Sequence, residues 1–233
     1  MKKYQFILLT TMLVLFNQVL FAQQEKSETS SKVRTLFSNE DGRVNHGGYL
    51  GITIAYSEIE NQPALQLGGR LAWVINHQFA MGIAANGFFN NLDKSGSYKE
   101  SDYFLAGGYG GLFFQPILFP KSPVHVSFPF LLGVGGIAVN NYREWNKHPW
   151  DEANYSHDYY YDSDVFLVLE PGIDIEFNML NFMRMSLGAT YRFTNSVNLK
   201  YDYIEAGIPQ SVLINPKSLN GFTFRIAMLF GWF

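Results

Sequence analysis

From residue 47 onward, apolar and polar residues alternate almost one for one along successive stretches of the chain. That two-residue period is the mark of β-strands with two unlike faces. It is sharpest at 164–178, where Val165, Leu167, Leu169, Ile173, Ile175 and Phe177 oppose Glu170, Asp174 and Glu176. At 182–195, Met183, Met185, Leu187, Tyr191 and Phe193 oppose Arg184, Ser186, Thr190 and Arg192. At 221–233, Phe222, Phe224, Ile226, Met228, Phe230 and Trp232 oppose Thr223, Arg225, Ala227 and Gly231. Segments 47–57, 63–75, 78–89, 102–115 and 124–139 bring the predicted strands to eight, with the facing of 102–115 left open by its many glycines. The connections alternate too. Tight turns, beginning with Asn76-His77, follow the second, fourth and sixth strands, and longer loops follow the third, fifth and seventh; 58–62 is the short exception on the long side. An even number of antiparallel strands with turns at one rim and loops at the other predicts an all-β fold: an eight-stranded antiparallel up-and-down transmembrane β-barrel over 47–233, both barrel termini periplasmic.

Alternation alone does not say which face is wet, because a soluble barrel shows the same period with its faces exchanged. The lysines decide it. All ten (Lys2, Lys3, Lys26, Lys32, Lys94, Lys99, Lys121, Lys147, Lys200 and Lys217) fall outside the predicted strands. A water-facing strand surface would carry some of them. The polar face is instead Gly, Ala, Ser and Thr with a few arginines and carboxylates, which suits a narrow lumen. Aromatics cluster near both ends of the strands: Trp73, Phe79, Phe114, Phe177 and Trp232 by the turns, and Tyr56, Phe89, Phe166, Phe193 and Phe222 by the loops. Two such belts are expected where a barrel meets the two membrane interfaces.

Ahead of the barrel, Lys2 and Lys3 precede an apolar core from Phe6 to Phe16 and then Phe21-Ala22-Gln23, the layout of a secretory signal peptide over 1–22. Residues 23–46 are polar and aperiodic, a flexible periplasmic segment. The mean hydropathy of -0.04 spreads the apolar residues between polar ones rather than into spanning helices. With no cysteine there are no disulfides or thiolate metal sites, and a net charge of -3 offers no footprint for nucleic acid.

The aromatic strand 221–233 resembles the C-terminal strand of outer-membrane barrels, which implies the barrel-assembly machinery as a partner and Phe230, Trp232 and Phe233 as the assembly signal. It departs from that family in one respect: the apolar register ends at Trp232, not at Phe233. Across 47–233 the architecture resembles the small eight-stranded OmpA, OmpX and OmpW-like group. The leader ending and the three strands within 124–195 also resemble barrel proteins of Bacteroidota. The resemblance implies an outer-membrane location in a Gram-negative cell, with lipopolysaccharide and membrane lipid around the barrel.

Two groups of residues could carry function. The lumen face gathers Arg70, Glu170, Asp174, Glu176, Arg184, Arg192 and Arg225, four arginines against three carboxylates, expected to form a salt-bridged plug. The fifth loop interleaves Tyr142, Trp145, Trp150, Tyr155, Tyr159, Tyr160 and Tyr161 with charges, as binding surfaces do; the expectation is a loop that folds against its neighbours or rests on lipopolysaccharide, with an extracellular ligand as the alternative. His148, Asp151, Glu152, His157 and Asp158 match no metal spacing, so no metal or cofactor is expected. His125 and Ser127 share a strand face, like the base and nucleophile of a barrel lipid A deacylase, but lie near the periplasmic rim with no carboxylate on that strand to orient the histidine. Gly107-Gly108 with Gly110-Gly111 lacks the strand–turn–helix setting and lysine of a phosphate loop. The reading is a non-enzymatic outer-membrane barrel with a structural or surface-interaction role through its loops. A narrow channel for small or apolar solutes is the alternative, and a lipid A-modifying enzyme the third.

Overall fold

The computed structural model describes residues 44–91, 103–141, 162–205 and 208–233. Its strands are β1 (His46–Ile59), β2 (Gln62–Ile75), β3 (Phe79–Asn91), β4 (Tyr103–Leu118), β5 (Val124–Ser127), β6 (Phe130–Asn141), β7 (Ser163–Leu180), β8 (Met183–Thr194), β9 (Lys200–Glu205), β10 (Ile208–Leu213) and β11 (Gly221–Trp232). β1 to β4 pair in sequence, β4 pairs with β5 and β6, both of these pair with β7, and β7 leads through β8 to β11. β11 then pairs with β1 from Gly48↔Trp232 to Ser57↔Thr223, which closes the sheet on itself. Closure leaves no unpaired edge, as a chain without water to satisfy its backbone requires.

The ring has eight positions, because β5 and β6 are one strand interrupted by a proline. Ile117↔Ser127 on one side of the break and Phe114↔Phe130 on the other keep the same register against β4. His125↔Glu176 and Phe130↔Pro171 do the same against β7. Pro129 has no N–H to give, but its carbonyl still accepts from Gly172 and the Phe128 N–H still reaches the Pro116 carbonyl. The fourth strand runs three residues further than its sequence pattern suggests. Pro116, expected in a connection, sits in the ladder opposite Phe79.

Two turns are formed by residues in the left-handed region: Glu60 and Asn61 (φ 53° and 57°), and Asn76 and His77 (φ 50° and 59°). Paired positive φ values give the hairpin turn whose twist matches that of its strands. The long connection after β8 is not structureless, since β9 and β10 pair into a separate hairpin from Ile208↔Glu205 to Leu213↔Lys200. Lys200 is therefore on a strand, though not on one of the ring.

The outside of the ring is apolar from strand to strand, with Ile52, Leu67, Ile83, Leu132, Val134, Leu167, Ile173, Phe224 and Ile226 all exposed. A belt of that extent is covered by lipid, not water. Inside, apolar residues gather in two clusters. One, at the turn end, includes Tyr49, Val74, Ala80, Phe113 and Leu229. The other, at the loop end, includes Ile59, Phe88, Leu105, Tyr109, Ile137, Val139, Phe166 and Val168. Phe166 therefore does not belong to the outer aromatic belt. Its neighbours Val165 and Leu167 are 76% and 64% exposed, and strand parity turns Phe166 inward.

Candidate functional site

The lumen is where the pairing of the ring brings charge together. Asp174, Gly188 and Arg225 lie at one level on three neighbouring strands, because Asp174 pairs with Gly188 and Gly188 with Arg225. The middle position must be glycine: a Cβ on Gly188 would fall 1.8 Å from Asp174 Oδ1. Across that gap Arg225 donates from Nε and Nη2 to Asp174 Oδ1 at 3.0 and 2.9 Å, and from Nη2 to Oδ2 at 3.0 Å. Arg70 comes from the opposite wall and donates to Oδ2 at 3.5 Å, while Ser186 Oγ donates there at 2.9 Å. The carboxylate is fully enclosed, so its charge is met by two guanidinium groups and a hydroxyl rather than by water.

Two residues further along β7, Glu176 forms a second centre. The β5–β7 register sets it against His125, whose Nε2 lies 3.0 Å from Oε2. Ser127 Oγ donates to Oε1 at 2.7 Å, Gln115 Nε2 donates to the same oxygen, and Arg184 Nη1 lies 3.7 Å from Oε2. Gln115 also donates to Ser127 and accepts from the Tyr49 hydroxyl at 2.5 Å. The carboxylate that orients His125 is thus on the neighbouring strand, where reading along one strand does not find it. Ser127 donates its hydroxyl hydrogen bond to Glu176, not to His125, and both side chains are sealed from solvent. A nucleophile bonded to a carboxylate, with its histidine held by the same carboxylate, lacks the serine-to-base contact that acyl transfer needs.

Glu170 and Arg192 are not joined to each other. Glu170 accepts from Thr190 Oγ1 at 2.5 Å. Arg192, fully buried, donates from Nε to the Leu219 carbonyl at 2.7 Å and lies over the rings of Phe88 and Tyr109 at 5.5 and 5.6 Å. The expectation that each lumenal arginine meets a carboxylate fails here. Aromatic faces and a carbonyl take the place of the acid.

Leu219 belongs to a cap. From the connection between β8 and β11, Val197, Leu199, Ile214 and Leu219 are all buried, at 2% exposure or less, in the loop-end cluster. Backbone bonds from Val197 to Pro216 and from Ile214 to Leu199 hold the cap together. Asn220 Oδ1 accepts from the Thr194 N–H and hydroxyl, and Asp164 and Asp162 accept from the N–H groups of Asn198 and Lys200. At the turn end, the Phe233 ring stacks 5.7 Å from Tyr49 with the Arg184 guanidinium 3.8 Å above it. Phe233 thus faces the lumen while Phe230 and Trp232 face outward. Between these ends the lumen holds a cavity of about 20 Å³. The glycine-rich stretch of β4 is paired on both flanks from Phe104 to Phe114, with β3 on one side and β6 on the other, so the described residues leave no lateral slit there. The loop residues Tyr142, Trp145, Trp150, Tyr155, Tyr159, Tyr160 and Tyr161 lie outside the described residues, as do residues 1–43.

No protein-family model and no curated protein matches this sequence. Among solved structures, the chain is similar to Neisserial surface protein A, at 9% identity and a TM-score of 0.45 over 81% of this chain and 98% of that one. It is similar to a major outer membrane protein from Thermus thermophilus at 10% identity and a TM-score of 0.46, over 79% of this chain and 99% of that one. It also resembles Ail, the attachment invasion locus protein of Yersinia pestis, at 12% identity and a TM-score of 0.37, over 80% and 97% respectively. The eight-position closed ring with an apolar exterior, described above from its own strand pairings, is the architecture of a small outer-membrane β-barrel.

Proposed function

We propose that this protein is an integral barrel of a Gram-negative outer membrane that acts through its surface-exposed loops, with neither conduction nor catalysis in its lumen. The filled lumen carries this reading: a carboxylate–arginine network in the middle, an apolar cap at the loop end, Phe233 at the turn end, and about 20 Å³ of cavity between. Such an interior offers no path for a solute, so the narrow-channel alternative finds no support in it. The enzyme reading finds none either, because Ser127 and His125 are both committed to Glu176 and closed off from lipid and water.

What remains for contact with the surroundings is the outer belt, which meets membrane lipid and lipopolysaccharide, and the loops, whose aromatic stretch 142–161 has the composition of a ligand-binding surface. In this reading the leader 1–22 directs export, the assembly machinery receives the strand bearing Phe230, Trp232 and Phe233, and the tight turns with both barrel ends face the periplasm. Planar-bilayer recording of the purified barrel tests the closed lumen. The expected result is a flat current at all voltages; discrete, reproducible steps would return the protein to the channel class.

A further inference from the structure

The outer face of the ring is not uniform. On β7, β8, β11 and β1 its exposed residues are large, as with Leu167, Ile173, Leu187, Phe224 and Ile54. From β2 to β6 the strand pairing sorts outward residues into levels of different size. Leu71, Ile83, Leu112 and Leu132 share one level and are each more than half exposed. Two residues nearer the loops the level reads Gly69, Ala85, Gly110 and Val134; the next reads Leu67, Gly87, Gly108 and Gly136, and Ala106 and Ala138 follow. Over this surface lies an apolar hollow of about 650 Å³, with Gly69, Ala85 and Gly110 in its floor and the leucine level as its wall on the turn side. That volume is in the usual range of ligand sites. The ring itself does not require the outward glycines. A Cβ on Gly69, Gly87 or Gly136 would meet nothing nearer than 3.6, 3.9 and 3.8 Å, whereas on the inward Gly111 and Gly133 it would fall 2.1 Å from a backbone oxygen. An outward glycine forgoes the packing that a larger strand residue supplies, so nothing in the fold of the ring accounts for the hollow.

We propose that this hollow seats one acyl chain of a lipid A molecule. It is continuous with the apolar belt that meets lipid, so its occupant is hydrocarbon. Its depth fits one leaflet. From Leu112 to Ala106 the floor on β4 runs roughly 20 Å at about 3.4 Å per residue, and a strand tilt of about 40° makes that about 15 Å of depth, half of a core about 30 Å thick. The small residues lie on the loop side of the leucine level, which is the outer leaflet when the loops face outward. The choice of lipid A, rather than a phospholipid, rests on that proposed orientation. A second copy of the chain fits less well. A twofold axis in a membrane runs along the normal, so each level would meet its own equivalent, leucine against leucine and hollow against hollow, and the floor would stay uncovered.

Native mass spectrometry of the full-length refolded barrel, in detergent with purified lipid A or phosphatidylethanolamine, tests it. The wild type is expected to retain one lipid A per barrel at detergent ratios that strip phosphatidylethanolamine. Gly69→Leu and Gly136→Leu put a side chain into the hollow and its continuation, and should weaken retention about tenfold or more, the effect of displacing about two methylene groups. Ala189→Leu, outward on β8 between Phe224 and Ile173, adds comparable bulk outside the hollow and should bind as the wild type does. Folding of each variant is checked by gel-mobility shift, and Gly69→Ala stands in where leucine blocks refolding. Equal retention by the wild type and the filled variants would overturn the groove, because the lipid would then be annular only, and would leave the orientation untouched. Preference for phosphatidylethanolamine, lost in Gly69→Leu, would overturn lipid A as the occupant and count against the outward orientation of the loops instead. A lipid-free dimer that Gly69→Leu abolishes would overturn the proposal too, with a second copy as the occupant.

Discussion

Removing the carboxylate of Asp174 is the sharpest test of how the lumen is held. Asp174→Ala deletes the two-pronged bond to Arg225, the contact with Arg70 and the acceptor for Ser186 in one step. Arg70 and Arg225 then remain at 4% and 12% side-chain exposure without the carboxylate they shared. Breaking one side of a buried ion pair costs about 3–5 kcal/mol, most of it from the charge left behind. With a urea slope of roughly 1–3 kcal/mol per M, the unfolding midpoint should fall by at least about 1 M. The assay is urea titration of the barrel refolded in detergent, followed by tryptophan emission and by the gel-mobility shift between folded and unfolded forms. Asp174→Ala with Arg225→Met should recover a large part of the loss, because one uncompensated charge is removed along with its partner. A single variant with an unchanged midpoint would refute the reasoning, and so would a double variant no better than the sum of its singles.

Other consequences can be measured the same way. Gly188→Ala forces a Cβ against Asp174 Oδ1 and should cost about 1–3 kcal/mol, seen as a lowered midpoint and refolding yield. Leu199→Ala removes a fully buried cap residue and should cost about 2–5 kcal/mol; a neutral result would mean the cap only rests on the barrel. Val134→Arg places a charge on the lipid face and should cost up to about 2–4 kcal/mol in a bilayer, while the same change on a loop-facing position such as Asn198 should be close to neutral. Limited proteolysis of intact cells should cut within 142–161 and in the connection between β8 and β11; full protection until lysis would reverse the proposed orientation.

The sequence made the outside of the barrel easy to read and the inside hard. On β8, and on β7 from Glu170 onward, the inward residues are charged or polar and the outward ones apolar, so alternation separates the two faces; Phe166 and Val168, inward and apolar, break that pattern nearer the loops. On β6 alternation does not separate them: Leu131, Ile137 and Val139 point in while Leu132 and Val134 point out, and apolar residues on both faces erase the period. The inward set makes sense only beside its partners Val197, Leu199, Ile214 and Leu219, which are far away in the chain and sit in what reads as a polar loop. The β9–β10 hairpin did leave a signal, two short strand-like runs around Ala206-Gly207, weakened by Pro209. The seven lumenal charges are identifiable by parity, but their pairing depends on the register between strands. His125 meets Glu176 because of a β5–β7 alignment that no local pattern specifies.

The pairing of β1 with β11 has a kinetic consequence. Its partners, such as Ile54 and Ile226, are separated by nearly the whole length of the ring, so this ladder has the highest sequence separation of any among the described strands. Contacts of that kind form slowly, since the entropy of bringing distant segments together must be overcome before any bond rewards it. The bond from Arg225 to Asp174 and the seating of Leu219 over Arg192 both require β11 in place. They therefore form late, and substitutions at these positions should speed unfolding far more than they slow folding. The lumen network acts as a latch on the closed ring, governing how long the barrel stays shut once its two outermost strands have met.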